Sequence, residues 1–471
     1  MASMNVAVVG GGSVNWMPKL MKGFFNIEEI DGGEIRLVDP NKEHAELVVE
    51  MIKVLNKKQK KDFKVLTIKD RKEAFNNADL VWTTFSPGTL DAFWNDLEIP
   101  KKYGVHLPMS MTTGPGGLSA ALRTVPVAYE IVKDMEEVCP GAWILNETNP
   151  MYAVVKAMNM ASKTVKIIGM CHEFHGHFPE LVEEIFDIKK PEGMTDIEFT
   201  HYWLPENGFE YTVAGINHFI FLIRVSLNGE DMMPRVREYA KNHWKLGVKG
   251  ALDIHSQRPL NTDSNPFKHR SSASLSLGRR LGYLSICGDR ETVEHIPSLC
   301  NYHNGWGMKY GVWKTSLDRR RIFADTHKKE LLEIINTKDN TDIELKHEQM
   351  ADIIKAIINK SSTKCMINTP NRGQIANLPE DIIVETEATV LKDKIKPESA
   401  GDLPEVIRSF CRLHSDVREL VIKAALEGSR QKFVEALCLE PMNYLMDLDE
   451  IGYMADELLE ANREWLPRFF K

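Results

Sequence analysis

The stretch GMCHEFHGHF, residues 169–178, sets one cysteine, three histidines and a glutamate within ten positions. Thiolate, imidazole and carboxylate are the groups that ligate metals, carry redox chemistry or move protons. Cys171 directly follows the apolar run TVKIIGM, so it belongs at the end of a strand. A structural zinc wants four closing ligands, commonly with a second Cys-x-x-Cys or His-x-x-His, and none accompanies this stretch. An open catalytic site needs fewer protein ligands. Its natural second member is His218 in GINHFIF, which ends another β-rich run and has Asn217 beside it. The competing reading is that both are ordinary core residues, as isolated buried cysteines and histidines commonly are.

A second cluster lies at the start of the chain. Val6–Val9 read as a buried strand that runs into Gly10, Gly11, Gly12 and Ser13 and then into the amphipathic stretch WMPKLMKGFF. Glycines at such a turn let backbone N–H groups approach a pyrophosphate at a helix N-terminus, where negative charge is favoured. The third glycine of a G-x-G-x-x-G pattern is replaced by Asn15. Asp39, at the end of the strand EIRLVDP, can bind a ribose 2′-hydroxyl and would repel a 2′-phosphate, so NAD is expected rather than NADP.

These residues need a scaffold that brings strand ends together. Strands at 34–40, 63–70, 79–87, 141–150 and 164–170 alternate with helical patterns such as HAELVVEMIKVLNKKQ. That alternation predicts an α/β fold, a Rossmann-type doubly wound parallel sheet, whose ligands gather at the carboxyl ends of the strands. After about residue 195 the texture shifts to long β runs (FEYTVAGINHFIFLIRVSLNG) and helices such as RELVIKAALEG. The division expected is 1–195, a dinucleotide-binding domain, and 196–471, an α+β domain for substrate, metal and oligomerisation.

Composition narrows the function classes. The 471 residues carry a formal net charge of −8, with 43% hydrophobic and 27% charged residues, which describes a soluble globular protein and argues against a general nucleic-acid binder. The one basic run, KKQKKDFK at 57–64, reads as a solvated helix end. Seven scattered cysteines suggest reduced thiols. The N-terminus has no basic signal-like region and no segment is long enough to span a bilayer, so a cytoplasmic protein without a membrane partner is expected.

Six segments taken in order, VAVVGGGSV, TTGPGGLSAALRTVPV, NETNPMYAV, GMCHE, AGINHF and NTPNRGQIANLPEDIIVE, resemble glycoside hydrolase family four, the NAD- and divalent-metal-dependent glycosidases related to lactate and malate dehydrogenases. The resemblance covers nearly the whole chain. It implies that Cys171 and His218 hold the metal, usually manganese (Mn2+), and that Asn149 holds the sugar's hydroxyls; Asn217, beside His218, is a further candidate for substrate contact. Ligand softness alone would suggest zinc. The chemistry implied is redox elimination–addition: NAD transiently oxidises C3, C2 is deprotonated to a metal-stabilised enediolate, the C1 substituent leaves, and water and hydride return. The family is an exception to the two-carboxylate rule of glycosidases. For the base, the resemblance points to Asp289, where Arg290 stands in place of the threonine of an I-G-D-T context, or to Tyr283. His172 is the candidate acid or hydroxyl contact, with a role in orienting the neighbouring metal ligand as the alternative; Glu173 and His175 would shape the pocket, and His177 would be structural. Relatives form dimers or tetramers.

CHEF after the metal cysteine matches neither pattern of the family's phosphosugar enzymes, which implies an unphosphorylated α-glycoside, most closely an α-galacturonide. α-Glucosidase, α-galactosidase and α-glucuronidase are the neighbouring alternatives, and an NAD-dependent 2-hydroxyacid dehydrogenase the remote one. A uronate needs a cation for its carboxylate, and Arg290 and Arg372 are the candidates.

Overall fold

In the computed structural model, which describes residues 2–245, 271–337, 343, 345, 348–359 and 361–471, the apolar runs expected as strands line up in one sheet. Its members are β1 (Ala2–Val9), β2 (Ile30–Val38), β3 (Asp62–Thr67), β4 (Leu80–Thr83), β5 (Trp143–Asn146), β6 (Lys166–Gly169), β7 (Phe209–Ile216), β8 (Phe219–Leu227), β9 (Glu230–Asp231), β10 (Leu284–Ser285), β11 (Ser362–Pro370), β12 (Ile383–Leu391) and β13 (Ile395–Pro397). The parallel half runs β3-β2-β1-β4-β5-β6. This is the doubly wound order, with its switch point between β1 and β4.

The sheet does not stop at the boundary expected near residue 195. β11 joins β6 antiparallel, Asn368 opposite Gly169, and the order continues through β12, β7, β8 and β10. The two halves therefore share one hydrogen-bonded layer. Alternate residues of the strands face opposite sides. Ala7, Val9, Val81 and Ile144 enter one core with helices Gly114–Val138, Met151–Ala161 and Glu405–Glu427. Val6, Val8, Leu80 and Leu145 enter another with helices Met17–Phe25, Lys42–Gln59 and Gln349–Asn359. A third core lies between helix Glu173–Phe186 and the β7–β8 hairpin.

The basic run at 57–64 ends a helix, as expected. Lys60 closes helix Lys42–Gln59 in the left-handed conformation, φ 52°; Lys61 folds back to donate to the Ile27 carbonyl. All seven cysteines are free thiols. Among the described residues no helix is long and apolar enough to cross a membrane.

The loop feeding β6, and hence Cys171, is held by a single carboxylate. Glu136 accepts from the backbone N–H groups of Lys163, Thr164 and Val165 at 2.7, 2.7 and 3.0 Å and from the Thr164 hydroxyl at 2.9 Å. Burial alone would raise its pKa, but the hydrogen bonds of Thr164, Val165 and Lys163 take it down to about 2. A depressed carboxylate contributes stability above its unfolded pKa, and that stability fades as pH falls from about 4.5 toward about 2. Glu136→Gln should cost about 2 kcal/mol near pH 7, the scale of hydrogen bonds to a charged group. Chemical unfolding of both proteins across pH should show the gap closing in acid.

Candidate active site

At the switch point, the Gly10 N–H donates to the Val38 carbonyl at 2.9 Å and the Ser13 N–H to the Gly10 carbonyl at 3.0 Å. Gly10 has φ +87°, and a Cβ there would stand 2.3 Å from the Thr84 carbonyl oxygen, so no other residue fits without movement. Asp39 crosses the turn, accepting from the Gly12 N–H at 2.9 Å and the Asn41 N–H at 2.8 Å. This fixes its half-buried carboxylate beside the N-terminal approach to helix Met17–Phe25. The turn, the carboxylate and the helix entry thus lie together at the carboxyl end of β1.

Cys171, just past β6, and His218 in the β7–β8 turn are both buried. The hairpin turn consists of Asn217 and His218 alone, since Ile216 pairs with Phe219. His218 adopts φ +62°, a left-handed conformation that costs a non-glycine residue free energy and persists only where its surroundings enforce it. Glu385 on β12 supplies part of that enforcement. It accepts from Asn217 Nδ2 at 3.1 Å and from the His218 backbone. Thr112 supplies the rest, its hydroxyl 3.3 Å from His218 Nδ1.

Burial pushes the His218 imidazole down to about 4, leaving it neutral with a lone pair for a metal. Burial, then Glu385, then Glu173 push the Cys171 thiol well above its ordinary value. Asn217 Oδ1 and Glu385 Oε1 are buried without a partner. A buried thiol among carboxylates, a neutral imidazole and unpaired oxygens are short of positive charge. A divalent cation fits that deficit, and it would turn the thiol into a thiolate.

Around this pair, Glu173 is a hub. Its carboxylate accepts from the Gly288 N–H at 2.8 Å and meets His177 Nε2 at 3.0 Å. Burial would raise Glu173 and lower His177, yet their pairing wins in both, holding the glutamate well below and the histidine above its usual range. His177 is thus the partner that keeps a buried carboxylate ionised. His172 leaves its side chain 61% exposed next to Cys171. His175 pairs instead with His201, Nε2 to Nε2 at 2.8 Å. Asn149 precedes a cis bond to Pro150; its Oδ1 accepts from the Met151 N–H at 3.1 Å and its Nδ2 contacts Met111 Sδ at 3.3 Å.

Several expected residues are engaged elsewhere. Asp289 has no solvent exposure and accepts from the N–H groups of Ser272, Ala273 and Ser274 at 2.8, 2.9 and 3.4 Å. It caps helix Ser272–Leu281 from across the chain rather than offering a free base. Tyr283 is half-buried, with the Arg237 guanidinium 6.0 Å from its ring centre. Arg290 is buried and donates to the Thr315 hydroxyl. Arg372 is a surface residue paired with Asp381.

The model of the family 4 glycosyl hydrolases matches residues 5–187, and that of their C-terminal domain matches residues 213–443. The chain is a family 4 glycosyl hydrolase. An alpha-galacturonidase of Lachnoclostridium phytofermentans is 27% identical to it, over 99% of this chain and 97% of that protein. An alpha-galactosidase of Bacillus subtilis is 27% identical, over 98% and 99%. The structure of a 6-phospho-beta-glucosidase from Thermotoga maritima, determined with manganese, NAD+ and glucose-6-phosphate, superposes with TM-score 0.72 at 25% identity, over 98% and 99% of the two chains.

Within this glycosyl hydrolase, sequence reasoning passed over Glu385 and Thr112. Both stand in segments that carry the resemblance, and a carboxylate closing the apolar run DIIVE was the available signal. For Asp289 the geometry makes a clear forecast. Asp289→Asn should lose about 1–2 kcal/mol of stability through the weakened cap and helix-dipole interaction, read as a lower thermal midpoint. A base at that position would instead lose turnover at an unchanged midpoint.

Proposed function

We propose that this family 4 glycosyl hydrolase cleaves unphosphorylated α-glycosides, with α-galacturonides as its main substrates, using NAD and a divalent ion, manganese in this reading. The observation that carries the proposal is the buried Cys171–His218 pair with its deficit of positive charge, at the same carboxyl edge of the sheet as the Gly10–Ser13 turn. The manganese and NAD+ held by the Thermotoga maritima relative and the name of the Lachnoclostridium phytofermentans relative support it, as does the CHEF sequence after the cysteine. Neutral α-glucosides and α-galactosides, and α-glucuronides, are the alternatives within this reading.

Gly10, Gly11, Gly12 and Ser13 would hold the dinucleotide's pyrophosphate, and Asp39 its ribose. Cys171 and His218 would hold the ion, with Thr112 orienting the imidazole through Nδ1, as outer-sphere partners of metal ligands do. When bound, NAD supplies reversible hydride removal at C3 of the sugar, and the cation supplies Lewis acidity at its oxygens. Asn149 and Asn217 orient the hydroxyls. His172, exposed beside Cys171, delivers a proton to the leaving oxygen. With Arg372 on the surface, Arg290 is the cation left to this reading for a uronate. The setting inferred is cytoplasmic, consistent with free thiols. A homodimer or homotetramer belongs to the same reading, since Tyr444, Leu445, Leu448 and Tyr453 expose large apolar side chains within ten positions.

The test is release of p-nitrophenol from α-galacturonides and neutral α-glycosides, with NAD+, Mn2+ and reductant each present or omitted. Cleavage should need all three and leave no NADH behind, and turnover in D2O should place deuterium at C2. Cys171→Ser should abolish turnover with the thermal midpoint unchanged. Stoichiometric NADH would instead make the protein a dehydrogenase.

A further inference from the structure

Trp16 is the residue just before helix Met17–Phe25, at the end of the dinucleotide turn, and its side chain is exposed at 37%. Its ring centre lies 5.8 Å from that of His172, tilted by 53°. Lys19 stands three residues on, on the same face of the helix, with its ammonium 5.7 Å from the Trp16 ring centre. The Lys19 side chain is 39% exposed and its ammonium is 3.5 Å from Glu348. Lys19 is also close enough to act on the charges of His172 and Glu147. Glu147 is two residues from Asn149. An indole and an ammonium from the start of one helix therefore meet, in the open, an imidazole from far along the chain that directly follows Cys171.

An indole left in water forgoes a large hydrophobic gain, so its exposure beside a catalytic candidate calls for an occupant. The C–H face of a pyranose packs on an aromatic ring, and the Lys19 ammonium, 5.7 Å from the centre of the Trp16 ring, is near enough to attract a carboxylate on a sugar held there. We propose that Trp16 and Lys19 form the subsite for the leaving sugar, the indole under its ring and the ammonium on its carboxylate. The inference rests on the reading of His172 as donor to the leaving oxygen, because whatever departs must then stand next to His172, where Trp16 is. The substrate class is accordingly an α-linked di- or oligouronide rather than a simple glycoside. Such substrates must come from a reaction that breaks down a polyuronide.

The experiment compares two substrates with the same galacturonate and different leaving groups, methyl α-galacturonide and α-1,4-digalacturonate. Trp16→Ala should lower the ratio of kcat/KM for the disaccharide to that for the methyl glycoside about tenfold, roughly one stacking interaction, chiefly through KM. Trp16→Phe, which keeps a ring, should restore most of it. Lys19→Met should lower the ratio for digalacturonate but not for a galacturonosyl disaccharide with a neutral leaving sugar. An unchanged ratio overturns the subsite. So does an equal loss on both substrates accompanied by weaker NAD+ binding in fluorescence titration, which would make Trp16 a dinucleotide contact. If the wild-type enzyme leaves both galacturonides intact and cleaves a neutral α-glycoside, the galacturonide reading and the lysine contact fail together. The corresponding neutral pair of substrates then decides whether Trp16 holds the leaving sugar.

Discussion

Glu385 lies on β12 opposite Gly215, without solvent access, and its hydrogen bonds hold the two-residue turn that carries His218. Burying a carboxylate costs several kcal/mol unless charge or hydrogen bonds offset it. The partners here are neutral, so burial pushes Glu385 up to about 7 despite Asn217. Cys171 lies close enough to feel that charge, and its thiol is held protonated. The arrangement is therefore electrostatically incomplete as a protein surface, and one bound cation would relieve the glutamate, the thiol and the unpaired Asn217 oxygen together. The same carboxylate bonds to both residues of the turn in which His218 is left-handed.

This works because the sheet is continuous. Cys171 follows β6 of the parallel half, whereas His218 and Glu385 belong to the antiparallel half. Registration between them passes through β11, where Asn368 pairs with Gly169 on one side and with Glu385 on the other. Main-chain ladders on both sides leave little freedom for Cys171 and His218 to drift apart. From the helical side, Glu294 accepts from the Ser110 N–H at 2.7 Å and also from Met109. It thereby anchors the strap that presents Thr112 to His218. Gly116, in the first turn of the helix that follows this strap, approaches so closely that a Cβ would lie 2.4 Å from the Asp96 carbonyl oxygen, which accounts for that glycine of TTGPGG. Beneath the turn, Phe219 stacks on His295 at 4.5 Å, and His295 meets the Arg418 guanidinium at 3.0 Å.

Much of this was legible in the amino-acid order. The strand–glycine–helix unit and Asp39 are local patterns read from periodicity and position, whereas the thiol after β6 and the histidine in the hairpin stood out from ordinary core residues only through the family resemblance. What misled was chemistry without context. Asp289 looks like a free base in the sequence, yet it meets the backbone of residues 272–274. His177, expected to be structural, pairs with the buried Glu173 and holds that carboxyl below its usual range. The basic run at 57–64 ends a helix as its pattern suggests, although Lys61 turns inward to a carbonyl.

The chain order by itself determined the class of fold and the glycine turn, because those depend on repeating apolar spacing and on which residues follow a strand. The pair of metal-ligand candidates came with the resemblance of six ordered segments to one family. Tertiary structure alone decided that the sheet is continuous, that Glu385 and Thr112 orient His218, that Asp289 is a cap, and that Trp16 stands beside His172. These are contacts between residues far apart in the chain. Hydrogen bonding, burial and charge coupling act over a few ångströms of space, so no local pattern in the sequence records them.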